Sequence, residues 1–184
     1  MFHLIFFLSL FFNLGCLGKT SINNDSDLVW SDCAYGNGDH PCNFTFEDQK
    51  GNEVSLYDFY GQPIVLDFST GWCGFCGIAA KEVQQVQDMY ASHDLVYITV
   101  MTEDHRGWKP DSEFCQAWAD AFGIYSAPVL AGNKDILSDN SEDGWVIEGY
   151  PAFAFIDSDM VLQGQYTGFS PSHLHDNISK IISE

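Results

Sequence analysis

Short apolar strands alternate with amphipathic helices along most of the chain. The runs at 63–69 and 95–101 are almost continuously apolar, which is typical of strands buried on both faces. Between them, residues 73–90 carry apolar side chains at spacings of four, three and four, so this segment is predicted to be a helix with one apolar face. A second helix is predicted to begin at Asp111 or Ser112.

The two ends of this pattern add strands and a closing helix. A hairpin is predicted from 43–47 and 53–56, and two later strands from 152–157 and 161–167. Pro171 fits the first position of a last helix. The remaining elements are a helical turn at 57–60, a short strand at 128–131 and a polar loop at 132–144. Together they predict an α/β fold, with a central mixed sheet, helices on both faces and an N-terminal hairpin extension.

The first sixteen residues differ in composition from the rest, because MFHLIFFLSLFFNLGC contains no acid, Lys or Arg. This apolar run is short for a membrane span and has the length of a signal-peptide core. Its ending, Leu14-Gly15-Cys16, resembles a bacterial lipobox, in which the cysteine becomes the lipidated first residue. We therefore predict export and a lipid anchor on Cys16 at the periplasmic face of a bacterial membrane. The alternative is a cleaved leader that leaves a soluble periplasmic or secreted protein.

The rest of the chain is acidic, with 7 Lys and Arg against 26 Asp and Glu and a net charge of -19. Such a surface repels nucleic acid, so no nucleic acid partner is expected. Residues 17–41 are predicted to be a polar tether and an N-terminal cap, followed by one domain at 42–184.

Six cysteines suit an exported protein, since an oxidising compartment permits disulfides. Cys33 and Cys42 bracket a short loop with Gly and Pro, which favours a structural disulfide between them. Cys115 lies beside an apolar stripe and is expected to be a buried, inert thiol. Cys73 and Cys76 form a Cys-x-x-Cys pair.

The chemistry of a Cys-x-x-Cys pair depends on its surroundings. Zinc normally takes four ligands, and the sequence has no second such pair, so no metal is expected. A buried strand followed by the pair at a helix start favours redox cycling. Unpaired amides at a helix N-terminus stabilise a thiolate at Cys73. Cys76, one turn deeper, then attacks the mixed disulfide that forms, so no cofactor is needed.

The stretch Val-Leu-Asp-Phe-Ser-Thr-Gly-Trp-Cys-Gly-Phe-Cys at 65–76 resembles the active site of thioredoxins. It is more similar to the exported TlpA/ResA-like and AhpC/TSA-type redoxins. The hairpin before it resembles the leading segment of those redoxins, and Gly-Tyr-Pro at 149–151 resembles the segment that carries their cis-proline. The resemblance covers about residues 42–184 and implies a thioredoxin-like fold.

The resemblance also implies roles for particular residues. Cys73 becomes the attacking thiol and Cys76 the resolving thiol. Asp67, six residues before Cys73, matches the buried acid that takes the proton of the resolving thiol, and burial should raise its pKa toward neutrality.

The substrate side of the site is implied in the same way. Trp72 packs beside the cysteines, Pro151 faces the disulfide, and the backbone of Tyr150 is left to pair with an extended substrate. Gly-Phe between the cysteines replaces the Gly-Pro of thioredoxins, which leaves the direction of electron transfer open.

We predict a protein thiol–disulfide oxidoreductase and favour a reductase. Its expected partners are protein thiols and disulfides and an unidentified electron donor, and the chain is expected to be a monomer. A thiol peroxidase with Cys73 as the peroxidatic residue stays open as an alternative. Thr70 stands three residues before Cys73 as in the Thr-x-x-Cys pattern of peroxiredoxins, but Leu66 replaces the proline of that pattern and Cys76 favours a dithiol, so Thr70 is expected to be a strand-end residue. A binding module that holds copper on the dithiol is the other alternative.

Overall fold

The structure, a computed structural model, describes residues 29–182. The strands are β1 (Thr45–Glu47), β2 (Glu53–Ser55), β3 (Ile64–Thr70), β4 (Val96–Glu103), β5 (Val129–Ala131), β6 (Ala152–Ile156) and β7 (Leu162–Thr167). The α-helices are α1 (Gly74–Met89), α2 (Ser112–Phe122) and α3 (Pro171–Ile181). Single 3₁₀ turns occur at Leu56–Phe59, Ala91–His93 and Lys134–Ile136.

The central sheet has five strands in the order β5-β4-β3-β6-β7. β3 pairs parallel with β4 and antiparallel with β6, so the sheet is mixed. β1 and β2 form a separate antiparallel hairpin, which reaches the sheet through a bridge between Asp48 and Leu130. The predicted mixed sheet and its hairpin extension are confirmed.

All three α-helices found between residues 29 and 182 lie on one face of this sheet. Val83 of α1, Trp118 of α2 and Leu174 of α3 belong to one buried cluster, together with Val65 and Tyr97 of the sheet. The connections β3–α1–β4 and β4–α2–β5 step across the sheet in the same direction. Crossovers of the usual right hand then place both helices on the same side. The expectation of helices on both faces is therefore wrong.

The opposite face is covered by irregular chain instead of α-helix. Trp145 is fully buried there and packs its ring 5.1 Å from that of Phe68 and 4.9 Å from that of Tyr35. Leu56 and Tyr57 of the first 3₁₀ turn join the same cluster. Large aromatic rings bury much apolar area each, so a few of them close this face.

The N-terminal segment is attached to this second face. A disulfide joins Cys33 to Cys42. Trp30 stacks on His40 with 4.3 Å between ring centroids and meets Tyr57 edge-on at 4.9 Å. The cap therefore packs against the domain from Trp30 onward.

Candidate active site

Cys73 lies in the short connection between β3 and α1. It is the N-cap residue of α1, and its Sγ accepts a hydrogen bond from the backbone N–H of Cys76 at 3.2 Å. The chain can turn here because Gly71 has no side chain, since a Cβ would come within 2.6 Å of Phe114 and 2.7 Å of the His105 nitrogen. The Cys73 sulfur thus fills one of the hydrogen-bonding positions that the first turn of a helix leaves open.

The two thiols of the pair differ in access. Cys73 is partly exposed, whereas Cys76 has no exposed surface and belongs to the core under α1. Burial and the contact with Cys73 raise the pKa of the Cys76 thiol. A partner protein can therefore reach Cys73, while Cys76 is held as the protonated thiol beneath it.

The segment before β6 faces this pair. The Tyr150–Pro151 peptide bond is cis, and the Tyr150 carbonyl accepts a hydrogen bond from the Cys73 thiol at 3.5 Å. The Tyr150 phenol oxygen accepts a hydrogen bond from the Thr102 hydroxyl at 2.9 Å, which fixes the ring. β6 pairs with β3, and this pairing brings a segment seventy-seven residues away to the redox pair.

Trp72 stands beside the pair and is 52% exposed. Its ring meets Tyr150 edge-on at 5.7 Å, and its indole N–H donates to the Glu103 carboxylate at 3.0 Å. The other oxygen of Glu103, itself almost completely buried, is bound by the Lys134 ammonium at 2.6 Å. The polar loop at 132–144, predicted only as a connection, thus reaches the active site through Lys134.

Exposed apolar side chains surround the redox pair. Phe75, between the two cysteines, is 67% exposed, and Ile78 on the next turn is 48% exposed. With Trp72 they form an apolar rim around Cys73. Aromatic and aliphatic surface of this kind is typical of sites that contact other proteins.

Asp67 lies behind Cys76 in β3 and is 1% exposed. Burial raises the pKa of its carboxyl group to about 7, against the lowering effect of two hydrogen bonds. Those bonds come from the Ser69 hydroxyl at 2.7 Å and the Tyr97 phenol at 3.2 Å. Its negative charge in turn contributes to the raised pKa of the Cys76 thiol.

The other sequence-predicted residues lie away from this cluster or outside the described residues. Cys115 is fully buried on α2, and burial raises the pKa of its thiol to about 12. The Cys33–Cys42 disulfide belongs to the N-terminal cap. Cys16 falls outside the described residues. Between residues 29 and 182, no group of three or more His, Cys, Asp and Glu side chains is placed to hold a metal ion.

The sequence analysis missed several residues of the site, among them Ser69, Tyr97, Glu103 and Lys134. Ser69 could have been found, because strand alternation puts it on the same face as Asp67 two residues earlier. Tyr97 and Glu103 depend on the register between β3 and β4, which no local pattern reveals.

Residues 38–165 match the family model described as the AhpC/TSA family. The chain belongs to the AhpC/TSA family. This match includes Asp67, Trp72, both cysteines of the pair and Pro151. It also covers the neighbouring strands β4, β3 and β6, which position these residues.

Individual proteins are similar to this chain in sequence or in fold. The thioredoxin-like protein YneN of Bacillus subtilis is 24% identical over 131 residues, which are 71% of each chain. The thioredoxin domain of a thiol-disulfide oxidoreductase from Bacteroides vulgatus has a TM-score of 0.64 and 19% identity, over 80% of this chain and 99% of that one. The exposed lipoprotein thioredoxin Etrx1 of Streptococcus pneumoniae has a TM-score of 0.59 and 23% identity, over 77% of this chain and 98% of that one. The fold is therefore thioredoxin-like.

Within residues 29–182, no helix is both long and apolar enough to cross a membrane.

Proposed function

We propose that this chain is an exported protein thiol–disulfide oxidoreductase that works through Cys73 and Cys76 as a reductase. One observation carries the proposal. A partly exposed thiol caps a helix opposite the carbonyl before a cis-proline, with a second thiol buried below it. The AhpC/TSA family and the thioredoxin-like fold support the same chemistry.

The reaction begins at Cys73. Its thiolate attacks one sulfur of a disulfide in the partner, and the other partner sulfur leaves as a thiolate that takes up a proton. This forms a mixed disulfide between Cys73 and the partner. The apolar rim of Trp72, Phe75 and Ile78 holds the partner chain near Tyr150, whose backbone borders the pair.

Resolution belongs to Cys76. Once it loses its proton, its thiolate attacks the Cys73 sulfur, breaks the bond to the partner and closes the Cys73–Cys76 disulfide. The partner disulfide gains two electrons and the protein dithiol loses two. Asp67, with a pKa of about 7, is suited to accept the Cys76 proton near neutral pH.

The reductase direction is supported by the electrostatics of Cys76. Strong oxidants in this chemistry have a stabilised reduced form. Burial and the Asp67 charge instead raise the pKa of the Cys76 thiol, so the reduced pair gains no stabilisation from a thiolate at this position. Reduction of insulin disulfides tests the activity, and equilibration with glutathione tests the direction. A thiol peroxidase would instead consume peroxide rapidly and leave insulin intact, and a copper-holding module would retain the metal without turnover.

The proposed location rests on the sequence and on the cap. The leader that ends at Cys16 supports export and a lipid anchor. The disulfide between Cys33 and Cys42 fits an oxidising compartment. The similar fold of a pneumococcal exposed lipoprotein agrees with this placement.

A further inference from the structure

Ser69 lies between the buried carboxylate and the redox pair. It follows Asp67 by two residues in β3, so both side chains leave the same face of the strand, the face covered by α1. Ser69 is also nearer the end of β3, where the chain passes into the helix that carries Cys76. Its side chain is 1% exposed and is therefore shielded from bulk water.

The contacts of the Asp67 carboxylate single out this serine. Oδ1 accepts the Ser69 hydroxyl at 2.7 Å, and Oδ2 accepts the Tyr97 phenol at 3.2 Å. The Ser69 hydroxyl also interacts with the Cys76 thiol, where it lowers the thiol pKa against the larger effect of burial. A hydroxyl donates one hydrogen bond and accepts others, so Ser69 can serve both neighbours at once.

We propose that Ser69 relays the proton of Cys76 to Asp67 during resolution, an inference that rests on the proposed oxidoreductase function. The Cys76 S–H proton passes to the Ser69 oxygen while the Ser69 hydroxyl proton passes to the Asp67 carboxylate. Ser69 ends unchanged, Asp67 becomes a carboxylic acid, and Cys76 becomes a thiolate. That thiolate forms the bond to the Cys73 sulfur and displaces the partner thiolate.

None of the other titratable groups that face Asp67 among the described residues is suited to accept a proton at neutral pH. They are Cys76 on α1, Tyr97 on β4 and Tyr166 on β7. Burial raises the pKa of all three, so they stay protonated at neutral pH. Tyr97 occupies the oxygen of Asp67 that Ser69 does not, which directs the remaining oxygen toward the relay.

A small aromatic disulfide that releases a coloured thiolate separates the two chemical steps. Attack by Cys73 releases the first thiolate, and resolution by Cys76 releases the second. Ser69→Ala is expected to slow the second release about tenfold or more and to leave the first unchanged, since a lost proton relay affects only the step that needs it. Ser69→Thr keeps a hydroxyl and is expected to restore most of the rate.

The pH profile supplies a readout that a purely structural role would not change. In the wild type, the second release should slow as the pH falls through about 7, because Asp67 then becomes protonated and cannot accept. Ser69→Ala should lose this dependence. Thr99→Val is the matched control, because the Thr99 hydroxyl is also buried in the sheet but has no hydrogen-bond partner within the described residues.

The outcomes separate the relay from the function on which it rests. A Ser69→Ala variant with the wild-type second release and pH profile would overturn the relay, and so would an equal loss in Thr99→Val. If the wild type never releases a second thiolate, the dithiol mechanism itself fails and the relay fails with it.

Discussion

Trp72 donates its indole N–H to the buried carboxylate of Glu103 at 3.0 Å. Lys134 binds the other oxygen of that carboxylate, so an exposed aromatic ring at the active site is fixed from behind by an ion pair. The arrangement joins the end of β4 to the loop before β6. It explains how a half-exposed indole keeps one orientation beside Cys73.

This contact predicts a defect in partner binding. Glu103→Ala frees the Trp72 ring and should raise KM for insulin severalfold, because a mobile ring loses entropy when a partner immobilises it. A small aromatic disulfide does not depend on the apolar rim for binding, so the rate of its reduction should stay near that of the wild type. Glu103→Gln keeps an oxygen that accepts from the indole and serves as the control. An equal loss with both substrates would contradict a role in binding.

Asp67→Asn should change how stability depends on pH. The folded-state pKa of about 7 lies above the unfolded value of about 4, so the folded protein holds the proton more tightly. The wild type should therefore lose stability, on the order of a few kcal/mol, as the pH rises from about 4 to about 7. Denaturant unfolding across this range should show a flatter profile for Asp67→Asn and a more stable variant at neutral pH. Parallel profiles would contradict the burial argument.

The chemistry of the site could largely be predicted from sequence, because it depends on local order. A continuous apolar run predicts β3, the helical spacing that follows it predicts α1, and Cys73 lies at the junction of the two elements. The face without α-helices could not be predicted, since the side that each crossover takes depends on the order of the strands in the sheet, which strand hydrophobicity does not show. The ion pair of Lys134 could not be predicted either. Nothing in the sequence of a polar loop indicates which acidic residue its lysine will bind, and here that residue lies 31 positions earlier in the chain.

The Cys33–Cys42 disulfide should stabilise the fold without taking part in turnover. The two cysteines are nine residues apart, and closing a loop of this size contributes about 2–3 kcal/mol in the chain-entropy model. A variant with both cysteines changed to serine should lose about that much free energy of unfolding and keep its rate of insulin reduction. Mass mapping after mild reduction should find Cys73 and Cys76 reduced and this bond intact. Loss of activity in the double variant would contradict a purely structural role.

The proposed lipid anchor on Cys16 predicts where the protein is found after cell fractionation. The wild type should remain with membranes, because a modified lipoprotein cysteine carries more than one acyl chain and a single chain binds only marginally. Cys16→Ala should be released or remain unprocessed. A soluble wild type, or a mature N-terminus other than Cys16, would leave a plain secreted redoxin.

Cys73 and Cys76 have different roles in the proposed reaction, Cys73 as the attacking thiol and Cys76 as the resolving thiol. Cys73 is partly exposed at the helix start, whereas Cys76 is fully buried and its thiol has a raised pKa. Trapping of mixed disulfides with partner proteins measures this difference in roles directly. Cys76→Ser should accumulate complexes linked through Cys73, because attack proceeds and resolution cannot. Cys73→Ser should accumulate almost none, and equal trapping by both variants would contradict the assignment.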